Sequence, residues 1–140
     1  MLAAVTHLPD LVIGQDKVAK SPKANGVGHF RPLLELLPLQ NVVVTADAMQ
    51  TTRHNARFLR EVKDAHFLVL VLGSLPGLYA TFDDLKWENT PVAAATVDTA
   101  RSRIETRTIR VLPVPEGLDF PGARRAISSN GYVTVNKNGQ

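Results

Sequence analysis

Asp47 is the residue whose position most invites chemistry. It directly follows Val42-Val43-Val44-Thr45-Ala46, a run of β-branched residues without alternation. Such a run suits a strand buried on both faces, and open α/β sheets place functional groups just beyond the carboxyl ends of such strands. A carboxylate held there can bind a divalent cation or act as a base. The same position suits the N-cap of a helix over Ala48–Lys63, and the two roles are compatible. Basic residues supply the second pattern. Arg53, Arg57 and Arg60, with Lys63 nearby, recur at helical spacing and could contact nucleic-acid phosphates without reading sequence. They could equally form a solvated face balanced by Glu61 and Asp64. The densest charge cluster is Arg101, Arg103, Glu105, Arg107 and Arg110. In a strand, Arg103, Glu105 and Arg107 share one face, where ion pairs form and where a duplex could lie.

Other chemistries find little support. The chain has no Cys, which removes disulfides, thiolate metal sites and a thiol nucleophile. His7, His29, His54 and His66 show no paired spacing typical of a zinc site. Gly73-Ser74-Leu75-Pro76-Gly77 follows a strand but lacks the Lys and the spacing of a phosphate loop. The 140 residues fit one domain, and a second independent core would be too small to hold together. No apolar run reaches the roughly 18 residues of a membrane span, and the N-terminus does not read as a signal peptide. The expectation is a soluble, cytoplasmic protein. A net charge of +3 permits a polyanionic partner without arguing for one.

Those residues need elements to position them. A hairpin is expected over residues 1–15, turning at Leu8-Pro9-Asp10, and Lys17 to His29 should be an exposed loop. Arg31 to Leu37 reads as a helix, with Pro32 in its first turn and Pro38 ending it. Residues 41–73 form a strand-helix-strand unit. Its helix carries Met49, Thr52, Ala56, Leu59 and Val62 as one stripe, and Phe67–Leu72 is its second strand. A further helix is expected over Leu78–Trp87, and residues 92–114 should hold antiparallel strands at Val92–Val97 and Ile104–Val114. The tail should turn at Asn130-Gly131 before a last strand, Tyr132–Val135. The order ββα-β-α-β-α-ββ describes an α/β domain with a mixed sheet.

Three stretches together resemble one family. They are Val42-Val43-Val44-Thr45-Ala46-Asp47-Ala48-Met49-Gln50, Val71-Leu72-Gly73-Ser74-Leu75-Pro76-Gly77-Leu78-Tyr79 and Arg103-Ile104-Glu105-Thr106-Arg107. In order and separation they are similar to the ISAs-type (H-repeat-associated) insertion-sequence transposases. The first is close to the family's TxDAMxxQ signature. The others resemble its KGNQPxLY loop and its HGRxExR strand. Leu72, Ser74 and Leu75 stand at the loop's Lys, Asn and Gln positions, and Arg101-Ser102 at the His-Gly that precedes the third motif.

The resemblance implies an RNase H-like fold, a partner in insertion-end DNA, and an Asp-Asp-Glu triad holding Mg²⁺ for attack on a phosphodiester. Asp47 matches the second acid. The first belongs to a strand expected before the hairpin, and the third to a helix expected beyond Gln140. Glu105 is the alternative third acid, although its segment reads as a strand in an insertion with Arg103 and Arg107 facing DNA. The expectation is therefore a partial catalytic core, inactive by itself. Alternatives are a fragment that binds DNA or an intact transposase and inhibits it, or an unrelated small α/β ligand-binding domain. In an RNase H-like sheet of order 3-2-1-4-5, the first strand lies between the hairpin and Val42–Ala46. Without it, the hairpin should pair directly against that strand, or the free edge should drive self-association.

Overall fold

Period-two patterning builds the first hairpin of the computed structural model, which describes residues 2–16, 26–100 and 103–135. Leu2–Val5 (β1) pairs antiparallel with Val12–Asp16 (β2), Leu2 opposite Asp16, with a register shift between Ala4 and Val5. Leu2 and Ala4 turn inward while Ala3 and Val5 face solvent. Most of the loop expected over Lys17–His29, residues 17–25, lies outside the described residues. Its last four form a 3₁₀ turn, Gly26–His29, that leads into the helix Phe30–Glu35 (α1). Pro32 is tolerated there because first-turn amides have no partner within the helix. Phe30 and Leu34, four apart, are the buried face. Gly14 permits α1 to approach the hairpin, since a Cβ there would lie 3.1 Å from Leu33 Cδ1.

Val43–Ala46 (β3) and His66–Val69 (β4) pair in parallel, Val43 opposite His66. The single helix expected between them is broken into three. A 3₁₀ turn covers Ala48–Gln50, a short α-helix covers Arg53–Arg57 (α2), and a π turn covers Phe58–Val62. Two successive caps explain the first break. Asp47 caps the 3₁₀ turn, and Thr52 in extended backbone accepts the Asn55 amide at 3.0 Å to start α2. In the π turn the Lys63 amide bonds Phe58 O at 3.1 Å, and the Ala65 amide then reaches Leu59 O at 2.8 Å, past Asp64 at φ 48°. This widened turn buries the adjacent Phe58 and Leu59 together.

Both side chains enter a core made with Phe30, Leu34, Leu39 and Ala65, onto which Leu2, Ala4, Leu33, Leu37, Val44, Ala46 and Phe67 pack. Leu59 is 1% exposed, a burial of the kind that contributes about 1.5–3 kcal/mol. Phe67 also meets Phe120 edge to face at 6.1 Å. Gly122, two residues on, has φ +72°, and the Arg60 side chain fills the space a Cβ would need.

Two expectations about the sheet are corrected. Among the described residues β1-β2 and β3-β4 are separate two-stranded sheets, and the hairpin does not pair with β3. Hairpin and β3 are joined instead through shared core side chains and one bond, His7 Nε2 to Thr45 Oγ1 at 2.8 Å. Nor is β3-β4 buried on both faces. Val43, Leu68 and Leu70 are 55%, 49% and 58% exposed, because the core elements cover only the side bearing Val44, Ala46 and Phe67. The mixed α/β character stands, while β4 ends at Val69, before the expected Leu72.

The chain divides into two compact units. The first runs through Tyr79 and includes Phe120–Gly122; the second comprises Ala80–Asp119 and the residues from Ala123. The helix Pro76–Asp83 (α3) crosses that division, starting two residues before the expected Leu78 and ending short of Trp87. In the second unit, Trp87 starts a 3₁₀ turn, its Nε1 donating to Phe82 O at 2.7 Å. Ala94–Ala100 (β5), Arg103–Pro113 (β6) and Arg125–Val135 (β7) form an antiparallel sheet. No turn forms at Asn130-Gly131. β7 runs straight through, with Asn130 opposite Thr108 and Gly131 opposite Arg107, because ladder pairing along β6 satisfies the backbone without a reversal. Of this unit's described apolar residues only Ala126 is buried; along β6, Thr108, Arg110 and Leu112 on one face are half-buried, and Arg107, Ile109 and Val111 on the other are exposed.

Candidate functional site at the carboxyl end of the parallel pair

β3 delivers Asp47 to the carboxyl end of the parallel pair. Its Oδ1 accepts the amides of Met49 at 3.1 Å and Gln50 at 3.3 Å, and the residue is exposed. Oδ2 has no hydrogen bond among the described residues. The carboxylate is therefore fixed by one oxygen and presents the other to solvent. Capping and cation binding are geometrically compatible here.

Behind Asp47 lies a buried polar layer. Gln50, Thr51 and Asn55 are all nearly inaccessible. Thr51 Oγ1 donates to Leu70 O at 2.6 Å, and Asn55 Nδ2 donates to Gln50 O at 3.0 Å. Asn55 Oδ1 is buried without a partner among the described residues. Spacing gave no warning of this layer, since the expected apolar stripe of Met49, Thr52, Ala56, Leu59 and Val62 includes none of the three. The small cavity lined by Phe30, Gln50, Asn55, Leu59, Phe67 and Phe120 measures about 10 Å³. That is room for at most one water and for no organic ligand.

His7 is the other residue the tertiary structure adds. It lies 38 residues from Thr45 in sequence, and its bond to Thr45 Oγ1 places an imidazole beside the strand that carries Asp47. No motif could have revealed it, because the contact depends on how the hairpin packs.

The basic residues have separate roles. Arg53 and Arg57 are exposed, and Arg57 Nε stands 3.8 Å from Glu61 Oε1. Arg60 turns back into the structure, donating to Ala65 O at 2.9 Å with its stem against Gly122. Lys63 Nζ donates to Glu35 O at 2.9 Å and so closes the end of α1. Arg53, Arg57 and Arg60 thus do not form one uniform solvent face, because the π turn and Gly122 divert the third.

Glu105 belongs to the second unit, whereas Asp47 belongs to the first. On β6 it sits between two guanidiniums, with Arg107 Nη2 at 2.7 Å and Arg103 Nη2 at 3.6 Å. Arg107 Nε donates to the same carboxylate at 2.8 Å. Arg110 leaves this cluster, donating to Thr90 O at 3.0 Å, and Arg101 lies outside the described residues.

For a divalent cation, the first unit offers Asp47 as a hard oxygen ligand. Among the described residues no three His, Asp or Glu side chains converge. A single Mg²⁺ with water and phosphate ligands fits one carboxylate; a two-ion cradle needs more. No protein family, no curated protein and no solved structure matches the chain. Among the described residues no helix is long and apolar enough to cross a membrane.

Proposed function

We propose that the chain is a segment of a DDE-type insertion-sequence transposase core, in which Asp47 supplies one of three metal-binding acids, and that these residues alone do not cut DNA. The observation that carries this reading is Asp47 itself. It is an exposed carboxylate with a free oxygen, directly beyond a β-strand that pairs in parallel with the next through a helical crossover. The three sequence motifs agree with it. Mg²⁺ held by a full triad supplies Lewis-acid activation of a water or 3′-hydroxyl at the phosphodiester. Here the fold contributes one positioned ligand toward that chemistry. Glu105 is left out of the triad in this reading, because two arginines already neutralise it.

The same reading includes self-association. His66 donates its amide to Val42 O, so Val43 and Thr45 turn their N–H and C=O groups away from β4 toward a free edge. Residues 42–46 carry neither charge nor Pro to protect that edge.

Manganese binding tests the assignment. The electron-spin-resonance signal of free Mn²⁺ should fall on adding the protein, and Asp47→Asn should abolish that fall. Unchanged binding in the variant overturns the metal role. Supercoiled plasmid carrying the insertion-sequence ends should stay intact with the protein and Mn²⁺, and Asp47-dependent nicking would overturn the claim of inactivity.

A further inference from the structure

β7 is an edge of its sheet, since among the described residues only β6 pairs with it. Their register runs from Arg103 opposite Val135 to Pro113 opposite Arg125 without a shift. One step beyond, the Val114 amide donates to Arg124 O at 3.2 Å. Antiparallel ladders bond alternate residues, so Ala126, Ser128, Asn130, Tyr132 and Thr134 bond β6. Ile127, Ser129, Gly131 and Val133 therefore turn their N–H and C=O groups outward, and all four residues are exposed. The edge carries none of the usual guards. Residues 126–135 hold no charge and no Pro, and the strand has no bulge.

The outward residues are matched about Asn130. Two copies of β7 laid antiparallel, Asn130 opposite Asn130, set Ile127 opposite Val133 and Ser129 opposite Gly131 on either side of the centre. The outward N–H and C=O groups of these residues then bond across the join. Ile127 and Val133, each 48% exposed, become apolar cross-strand pairs on one face. Sliding the copies by two residues loses this match, setting Ile127 opposite Ser129 or Val133 opposite Gly131. The one charge of β7, Arg125, falls at opposite ends of the pairing, so no like charges meet.

We infer that β7 pairs with β7 of a second copy about a two-fold axis at Asn130, joining two three-stranded sheets into one. The contact is isologous, the same strand serving on both sides, so it closes at two chains. It uses the second unit alone and goes beyond the transposase reading, whose self-association lies at β3 in the first unit.

The chain has no Cys, so introduced cysteines read the register directly. Asn130 is a non-hydrogen-bonded position across the join, where the two Cα atoms approach to about 4.5 Å, within disulfide range. Under a mild oxidant, Asn130→Cys should give a covalent dimer on a non-reducing gel. Ser128→Cys and Tyr132→Cys should each fail to cross-link alone, because like positions lie about 14 Å apart along the strand. A mixture of those two should cross-link, since residues 128 and 132 lie opposite each other, and it keeps the test valid if Asn130→Cys unfolds. In the Val43→Lys protein, whose β3 edge is closed, sedimentation equilibrium should still show dimer. Adding Ser129→Pro should turn that dimer to monomer, because an outward N–H is lost while the ladder to β6 is kept. Failure of both cross-links, equal cross-linking of all three single variants, or a monomeric Val43→Lys protein at high concentration would each overturn the inference. The manganese measurement reads Asp47 and the cross-links read β7, so either can fail while the other stands.

Discussion

Thr51 Oγ1 donates to the carbonyl of Leu70 across 2.6 Å, tying the segment after β3 to the residue just beyond β4. Both strands of the parallel pair are thereby closed at the same end, and Asp47 sits at that closure. Thr51 is only 3% exposed. Thr51→Val keeps the shape and removes the donor. It should cost about 0.5–1.5 kcal/mol, the net worth of one hydrogen bond, because Leu70 is exposed and water can reach its carbonyl. Urea denaturation should show a lower midpoint at an unchanged slope.

Asp47 has a structural role separable from any chemistry. Asn caps as well as Asp does, so Asp47→Asn should change stability by only a few tenths of a kcal/mol. Asp47→Ala should cost about 1 kcal/mol, because the Met49 and Gln50 amides lose their acceptor. Thermal melts of the two variants check this, and equal losses would show that the cap contributes nothing.

The free edge of β3 predicts concentration-dependent association. Sedimentation velocity should show oligomers of the unaltered protein. Val43→Lys should shift them to smaller species, since a Lys on an edge strand opposes pairing with a second chain. A monodisperse unaltered protein at high concentration would contradict the expectation.

Gly122 stands where no other residue fits. Its φ of +72° is strained for an L side chain, and a Cβ there would fall within van der Waals overlap of Arg60. Gly122→Ala should destabilise by about 1–3 kcal/mol. Differential scanning calorimetry reads the loss. Arg60→Ala in the same background should recover part of it, leaving the backbone strain.

Removing Glu105 should leave Arg103 and Arg107 facing each other on one sheet face. Both guanidiniums are more than half exposed, so Glu105→Gln should cost no more than about 1 kcal/mol. High salt should erase the difference between the two proteins in parallel melts.

The residue order by itself marked where several strands and the helix α1 begin, but not the breaks after Asp47 or the unbroken run of β7. A β-branched run marks β3, a continuous apolar run marks β4, alternation marks β6, and Pro32 in the first turn with Pro38 beyond the end marks α1, because these signals act over a few neighbouring residues. Asp47 was legible for the same reason, since its place after an apolar run is a local fact. Tertiary structure decided the rest. It broke the helix after Asp47 through side-chain caps and diverted Arg60 to Ala65 O and Gly122. It also brought His7 to Thr45 and set Arg31 over Phe58. Each of these joins groups whose distance is fixed by packing and not by chain spacing, and no periodicity in the sequence encodes such a distance.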